Sequence, residues 1–191
     1  MLIESGVGNG KLAAVDENNR LLTNSISMPF EHYIAKDFQN TFAASFHAVP
    51  NPGQVTVGVI ANTAPDKKIV ITRIMLQALV SGGTALPNTS SFFTLETNAE
   101  YSVGGDAVKV SNLSSGSAVA APVRAYDNNP GLTAQPEVAY RVFALQGQPL
   151  DIQTTGNVII LPGKSVAIGY QSDQNSGGVI ANVSFVVVDA E

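Results

Sequence analysis

Hydrophobic and polar positions alternate along much of this chain with a period of two. In Gln54–Ala61, QVTVGVIA, Val55, Val57 and Val59 share a face. Successive side chains leave a strand on opposite sides, so this alternation marks a strand with one buried face. Residues 68–80 read KIVITRIMLQALV. They put Ile69, Ile71, Arg73, Met75, Gln77 and Leu79 on one face and Val70, Thr72, Ile74, Leu76, Ala78 and Val80 on the other. Both faces are largely apolar, which predicts a central strand covered on both sides, with a bulge near Arg73. β-Branched residues between 69 and 74 favour strand over helix.

The last third repeats the theme with shorter units. Val138–Leu145, Leu150–Thr154, Asn157–Leu161, Ser165–Tyr170 and Val179–Val188 read as strands. A Thr-Gly turn separates the second from the third, Leu161-Pro162-Gly163-Lys164 is a turn signature, and Gln171–Gly178 is a loop. In the middle, 81–91 is a loop and Phe92–Leu95 a short strand. Residues 111–121 are rich in small side chains, and 127–136 form a long Asn/Pro/Gly loop. One short helix is predicted, Phe30–Phe38, opening after Pro29. Short strands punctuated by Gly, Pro and Asn predict an all-β fold, an antiparallel β-sandwich or barrel over residues 29–191.

Residues 1–28 stand apart as an N-terminal arm or hairpin. Gly8-Asn9-Gly10 reads as a turn, Lys11–Val15 as a strand, Asp16–Asn19 as a second turn and Arg20–Ser27 as a returning strand. An isolated hairpin is marginal in water, so it needs a surface to lean on: its own sandwich, another subunit or a larger assembly.

Composition narrows the function. Charged residues make up 13% of the 191 positions, against about 25% in ordinary soluble domains. The balance is neutral polar, which suits strands and also large buried contacts, because few ions must be desolvated when two such surfaces meet. Net charge is −5 and the ten Lys and Arg are scattered. Nucleic-acid binding needs a positive stripe, so no direct nucleic-acid partner is expected. The chain has no cysteine, which removes disulfides, thiolate metal sites and thiol nucleophiles together and fits synthesis in a reducing cytoplasm. No signal peptide and no membrane-spanning run is expected from the sequence.

The segment Gly6–Leu21, G-V-G-N-G-K-L-A-A-V-D-E-N-N-R-L, followed by a serine-bearing strand, resembles the opening of tailed-bacteriophage virion structural proteins. The run Val158–Ser165, VIILPGKS, with AIGYQS, a Gly/Asn loop and VSFVVVDAE, resembles their endings. The resemblance covers about the first 28 and last 35 residues. It implies a jelly-roll-like sandwich, homo-oligomers (often trimers), and an N-terminal arm lying on the capsid. The implied partners are the phage major capsid protein or other virion proteins. The implied location is the virion, most simply the head, after synthesis in the host cytoplasm.

Chemistry is thinly represented. Serines are abundant, but there is no G-x-S-x-G elbow, and the two histidines, His32 and His47, read as surface or packed residues. In Gly6-Val7-Gly8-Asn9-Gly10-Lys11 the lysine is followed by Leu12, not Ser or Thr, so a tight turn explains the glycines better than a phosphate loop. Asp127-Asn128-Asn129 and Asp173-Gln174-Asn175 offer oxygen atoms, but not in a spaced calcium pattern, and Asx turns account for them. The sequons at Asn88, Asn112 and Asn182 are chance matches in a Ser/Thr/Asn-rich chain. No catalytic residue, metal site or cofactor is therefore expected.

The sequence leads to a capsid decoration, cement or minor capsid protein. Its assembly residues lie in the arm: Gly6, Gly8 and Gly10 allow it to bend, and Leu12, Val15, Leu21 and Ile26 anchor it. The rival readings are a carbohydrate- or receptor-binding module presenting Tyr101, Tyr126, Tyr140 or Tyr170, and a tail, neck or baseplate component.

Overall fold

A computed structural model describes residues 2–4, 12–14, 39–49, 53–79, 91–133, 136–144, 147–172 and 177–190. The chain divides into two compact units, Met1–Phe30 and Glu31–Glu191. In the first, β1 (Leu2–Glu4) pairs antiparallel with β2 (Leu12–Ala14), Ile3 opposite Ala13. The strand expected over Lys11–Val15 is present as β2, but its described partner precedes it. The returning strand expected over 20–27 and the helix expected over Phe30–Phe38 lie outside the described residues.

The second unit holds β3 (Thr41–Ala48), β4 (Gly53–Asn62), β5 (Lys67–Leu79), β6 (Phe92–Thr97), β7 (Asp106–Ala107), β8 (Ser111–Asn112), β9 (Val123–Asp127), β10 (Glu137–Phe143), β11 (Leu150–Ile160), β12 (Ser165–Ser172) and β13 (Gly178–Asp189). They form a six-stranded sheet, β10-β6-β12-β4-β9-β7, and a five-stranded sheet, β11-β5-β13-β3-β8. Every described pairing is antiparallel, and no helix occurs among the described residues. The predicted antiparallel β-sandwich is the observed fold. Its pairing is nested: β3 with β13, β4 with β12, β5 with β11 and β6 with β10. The chain thus runs out and back like one long hairpin rolled into two layers.

One core lies between the sheets. Phe42, Phe46, Ile69, Ile71, Ile74, Val183 and Phe185 of the five-stranded sheet meet Val55, Val57, Phe93, Leu95, Val166, Ile168 and Tyr170 of the six-stranded one. Phe42 stacks on Phe185 at 5.7 Å between centroids, and Phe93 packs on Tyr170 at 4.9 Å. The layers meet closely at Gly58, where an added Cβ would lie 2.4 Å from the Phe46 ring.

The bulge expected near Arg73 is present, and it accounts for much of the two-sided apolar character of β5. Along β13, Arg73 is opposite Ser184 but Ile71 is opposite Phe185, so β5 carries one extra residue there, Thr72. That bulge reverses the faces. Ile69 and Ile71 point into the core before it, and Ile74, Leu76 and Ala78 after it. Arg73 is exposed, and Met75 and Gln77 are half-buried on the outer side. Val70 and Thr72 are buried on that outer face, so the double covering holds only for the first half of the strand.

The strands predicted at Leu150–Thr154 and Asn157–Leu161 are one strand, β11. It leaves register with β5 between Gln153 and Val158, where Gly156 takes φ +82° and the Thr154 hydroxyl donates to the Ile71 carbonyl. The 161–164 turn is as predicted: the Lys164 amide donates to the Leu161 carbonyl at 3.0 Å, with Gly163 at φ +69°. β9 was not anticipated, because VRAYD carries no alternation strong enough to separate it from a loop.

Candidate assembly surface

Of the seven arm residues, Leu12 lies in β2, opposite Glu4. Gly6, Gly8, Gly10, Val15, Leu21 and Ile26 lie outside the described residues, as do His32 and the triplet 173–175. His47 is exposed near the end of β3, and its main chain is what the fold uses. Its amide donates to Asp127 Oδ2 at 3.1 Å, and its carbonyl accepts from the Asn128 amide at 3.1 Å. Asn129 Oδ1 accepts from the Thr56 amide at 3.2 Å, and Asn128 Nδ2 donates to Asp106 Oδ2 at 3.0 Å. The 127–129 triplet therefore ties β3, β4 and β7 together. Asn128 and Asn129 both adopt positive φ, which short amide side chains tolerate. Among the described residues no group of three His, Asp or Glu side chains could hold a metal ion.

The sequon at Asn112 is likewise structural. Its side-chain amide donates to the carbonyls of Gln39 (2.8 Å) and Val119 (3.0 Å), and its Oδ1 accepts from the Ser114 amide at 2.8 Å. Four tyrosines were sugar-site candidates. Tyr170 is 0% exposed and belongs to the core, so it presents no face to a ligand. Tyr101 and Tyr126 stack on each other, 3.9 Å apart and 5° from parallel, both half-buried. Tyr140 is exposed on β10.

Sequence reasoning did not find Glu96. It lies on the outer side of the six-stranded sheet yet is 1% exposed. Its Oε1 accepts from Thr94 Oγ1 (2.7 Å) and Gln54 Nε2 (3.1 Å). The carboxylate lies over Gly169, where an added Cβ would sit 2.7 Å from Oε1 and 2.3 Å from Thr94 Oγ1. The only sequence trace of this cradle is a glycine inside an otherwise bulky strand.

Five exposed large apolar side chains lie on or next to β10 and β11, the edge strands that end the two sheets. β10 is exposed at every position but Val142; Val138 is 48%, Tyr140 51% and Phe143 69% exposed. On β11 and the turn after it, Ile159 and Leu161 are exposed as well. Between these edges opens a cleft of about 240 Å³, floored by Ile74, Leu76, Phe93, Leu95 and Ile168 and flanked by Tyr140, Val142 and Ile152. Monomeric proteins seldom leave a long, apolar, unpaired edge strand open, because its free N–H and C=O groups template further pairing. Charge is sparse here. Arg73 forks onto Asp151 with Nε and Nη2 at 2.8 and 2.6 Å, and those hydrogen bonds hold the carboxyl below the usual carboxylate range.

No protein-family model matches this chain, and neither a curated protein nor a solved structure matches it.

Proposed function

We propose that this chain is a structural component of a tailed-phage particle, binding the capsid surface as a decoration or cement protein. The observation that supports this reading is the apolar side of the sandwich: Val138, Tyr140 and Phe143 are exposed along an edge that is unpaired among the described residues, beside an apolar cleft. Such a surface is stabilised by covering it with protein. The nested pairing is read here as jelly-roll connectivity, in keeping with the resemblance at residues 6–21 and 158–165. A leading unit of some thirty residues, compact by itself, supplies a separate element for docking.

The mechanism is thermodynamic. A subunit that binds assembled shell but not free shell protein stabilises the shell by mass action. Repetition around the shell makes individually weak contacts add through effective concentration. Homo-oligomers of the chain, trimers by family analogy, would present several arms together. Mass spectrometry of separated heads and tails from the encoding phage tests the location. The chain is expected in heads; absence from the particle removes the reading, and confinement to tails moves it to a tail or baseplate component. Deleting residues 1–27 is expected to leave a folded sandwich that no longer sediments with capsids, and retained binding would remove the arm from the mechanism.

One observation favours carbohydrate binding as the second reading: the half-buried Tyr101–Tyr126 stack, a planar aromatic step. A glycan array giving specific signal, abolished by Tyr126→Ala, would support it.

A further inference from the structure

We propose that two copies of this chain pair antiparallel through β10, about a twofold axis at Val142, joining their six-stranded sheets edge to edge. The phase of the edge comes from the hydrogen bonds. The Ala144 amide donates to the Ser91 carbonyl at 2.9 Å, and Val142 and Phe143 are opposite Phe93 and Phe92. Bonding direction alternates along a strand. Ala144, Val142 and Tyr140 therefore turn their main-chain groups toward β6, and Arg141 and Phe143 turn theirs outward.

The bulge between Val138 and Tyr140 ends the straight part of the edge, which leaves Tyr140–Ala144 as the pairing segment. Within it the side chains select one register. An axis at Val142 sets Arg141 opposite the partner's Phe143, and Phe143 opposite the partner's Arg141. Both are positions with outward main-chain groups, so the two pairs exchange four hydrogen bonds. The guanidinium already lies 4.4 Å over the Phe92 ring, and the same cation–aromatic contact would then be made to the partner's Phe143, which is 69% exposed alone. An axis at Arg141 would oppose two guanidiniums, one at Tyr140 would run the bulge into the ladder, and one at Phe143 would leave Arg141 opposite a residue beyond the strand. The strand is complementary to itself in this one arrangement, and that makes a second copy its occupant.

The chain has no cysteine, so single cysteines report the register directly. At a twofold axis between outward-turned pairs, the two Val142 Cα atoms would lie about 4.5 Å apart, within disulfide reach. The two Phe143 Cα atoms would lie roughly 8 Å apart, outside it. Full-length Val142→Cys is expected to give a reducible dimer under mild oxidation at least ~10-fold faster than Phe143→Cys. Sedimentation of the wild type at about 100 µM is expected to show self-association. Phe143→Lys, which faces Arg141 with a like charge, should weaken it at least ~10-fold, and adding Arg141→Glu should restore it. Both side chains are exposed, so the variants fold, with circular dichroism as the check. A wild type that is monomeric at that concentration, association indifferent to Phe143→Lys, or faster crosslinking at position 143 would each overturn the proposal.

Discussion

The Tyr170 hydroxyl is buried without a hydrogen-bond partner among the described residues, while its ring packs on Phe93. A buried hydroxyl without a partner has lost water and gained nothing in return. Tyr170→Phe keeps the ring and is expected to raise the unfolding free energy by about 1 kcal/mol in urea titrations; a comparable loss would show that the hydroxyl is bonded after all. Asn62 is the opposite case. It is 3% exposed, its Nδ2 donates to the carbonyls of Lys67 (2.7 Å) and Ile160 (3.2 Å), and its Oδ1 accepts from the Ala64 amide at 3.1 Å. One side chain thereby closes the β4–β5 turn and fixes β11 beside it. Asn62→Ala strands those groups and is expected to cost about 2–3 kcal/mol by the same titration. Neither residue announces its role in sequence. The alternation through Ser165–Tyr170 places Tyr170 on a face but does not say which face is inside, and Asn62 reads as one more loop amide.

The strands themselves were legible wherever one face is apolar and the other polar, as in β13, where Val179, Ala181, Val183, Phe185 and Val187 all enter the core. The slip near Arg73 was legible in β5, but its counterpart in β11 read as a break between two strands. The extra residue in β5 and the excursion in β11 between Gln153 and Val158 face each other, so the two irregularities are one feature seen from two strands. Just beyond it, Arg73 clasps Asp151 on the outer face. Hydrogen bonds from Arg73 hold the Asp151 carboxyl below its usual range, and the Lys67 ammonium does the same to Asp189 one strand over. A carboxyl lowered by folding contributes stability that is complete above the unfolded value of about 3.9 and is lost as pH falls through the lower folded value. Both carboxyls are exposed, so the contribution is small and screened by salt. Asp151→Asn is expected to lower the melting temperature slightly at neutral pH, and the gap to the wild type should close as pH drops below about 4. A gap that persists unchanged at low pH would show that the ion pair is not its source.

At the scale of the whole unit, nesting gives the two ends of the sandwich unequal weight. β13, the last strand, lies between β3 and β5, pairing along most of its length with both and placing five side chains in the core. It lies late in the described sequence yet in the middle of a sheet, so the β3 and β5 edges that face it stay open until it is in place. The leading unit, Met1–Phe30, is compact by itself. Removing residues 178–191 is therefore expected to abolish the cooperative thermal transition, because β3 and β5 are left with open edges over an exposed core. Removing residues 1–27 is expected to leave the transition within a few degrees of the wild type. Calorimetry on the two truncated chains separates these outcomes. The topology that makes β13 indispensable also makes folding slow, since the two outer nested pairs, β3 with β13 and β4 with β12, join residues more than a hundred positions apart, as Phe42 and Phe185 are. Refolding of the sandwich is expected in the range of milliseconds to seconds typical of β-rich domains dominated by distant contacts. A stopped-flow trace completed within microseconds would mean that the nested pairs do not limit the rate.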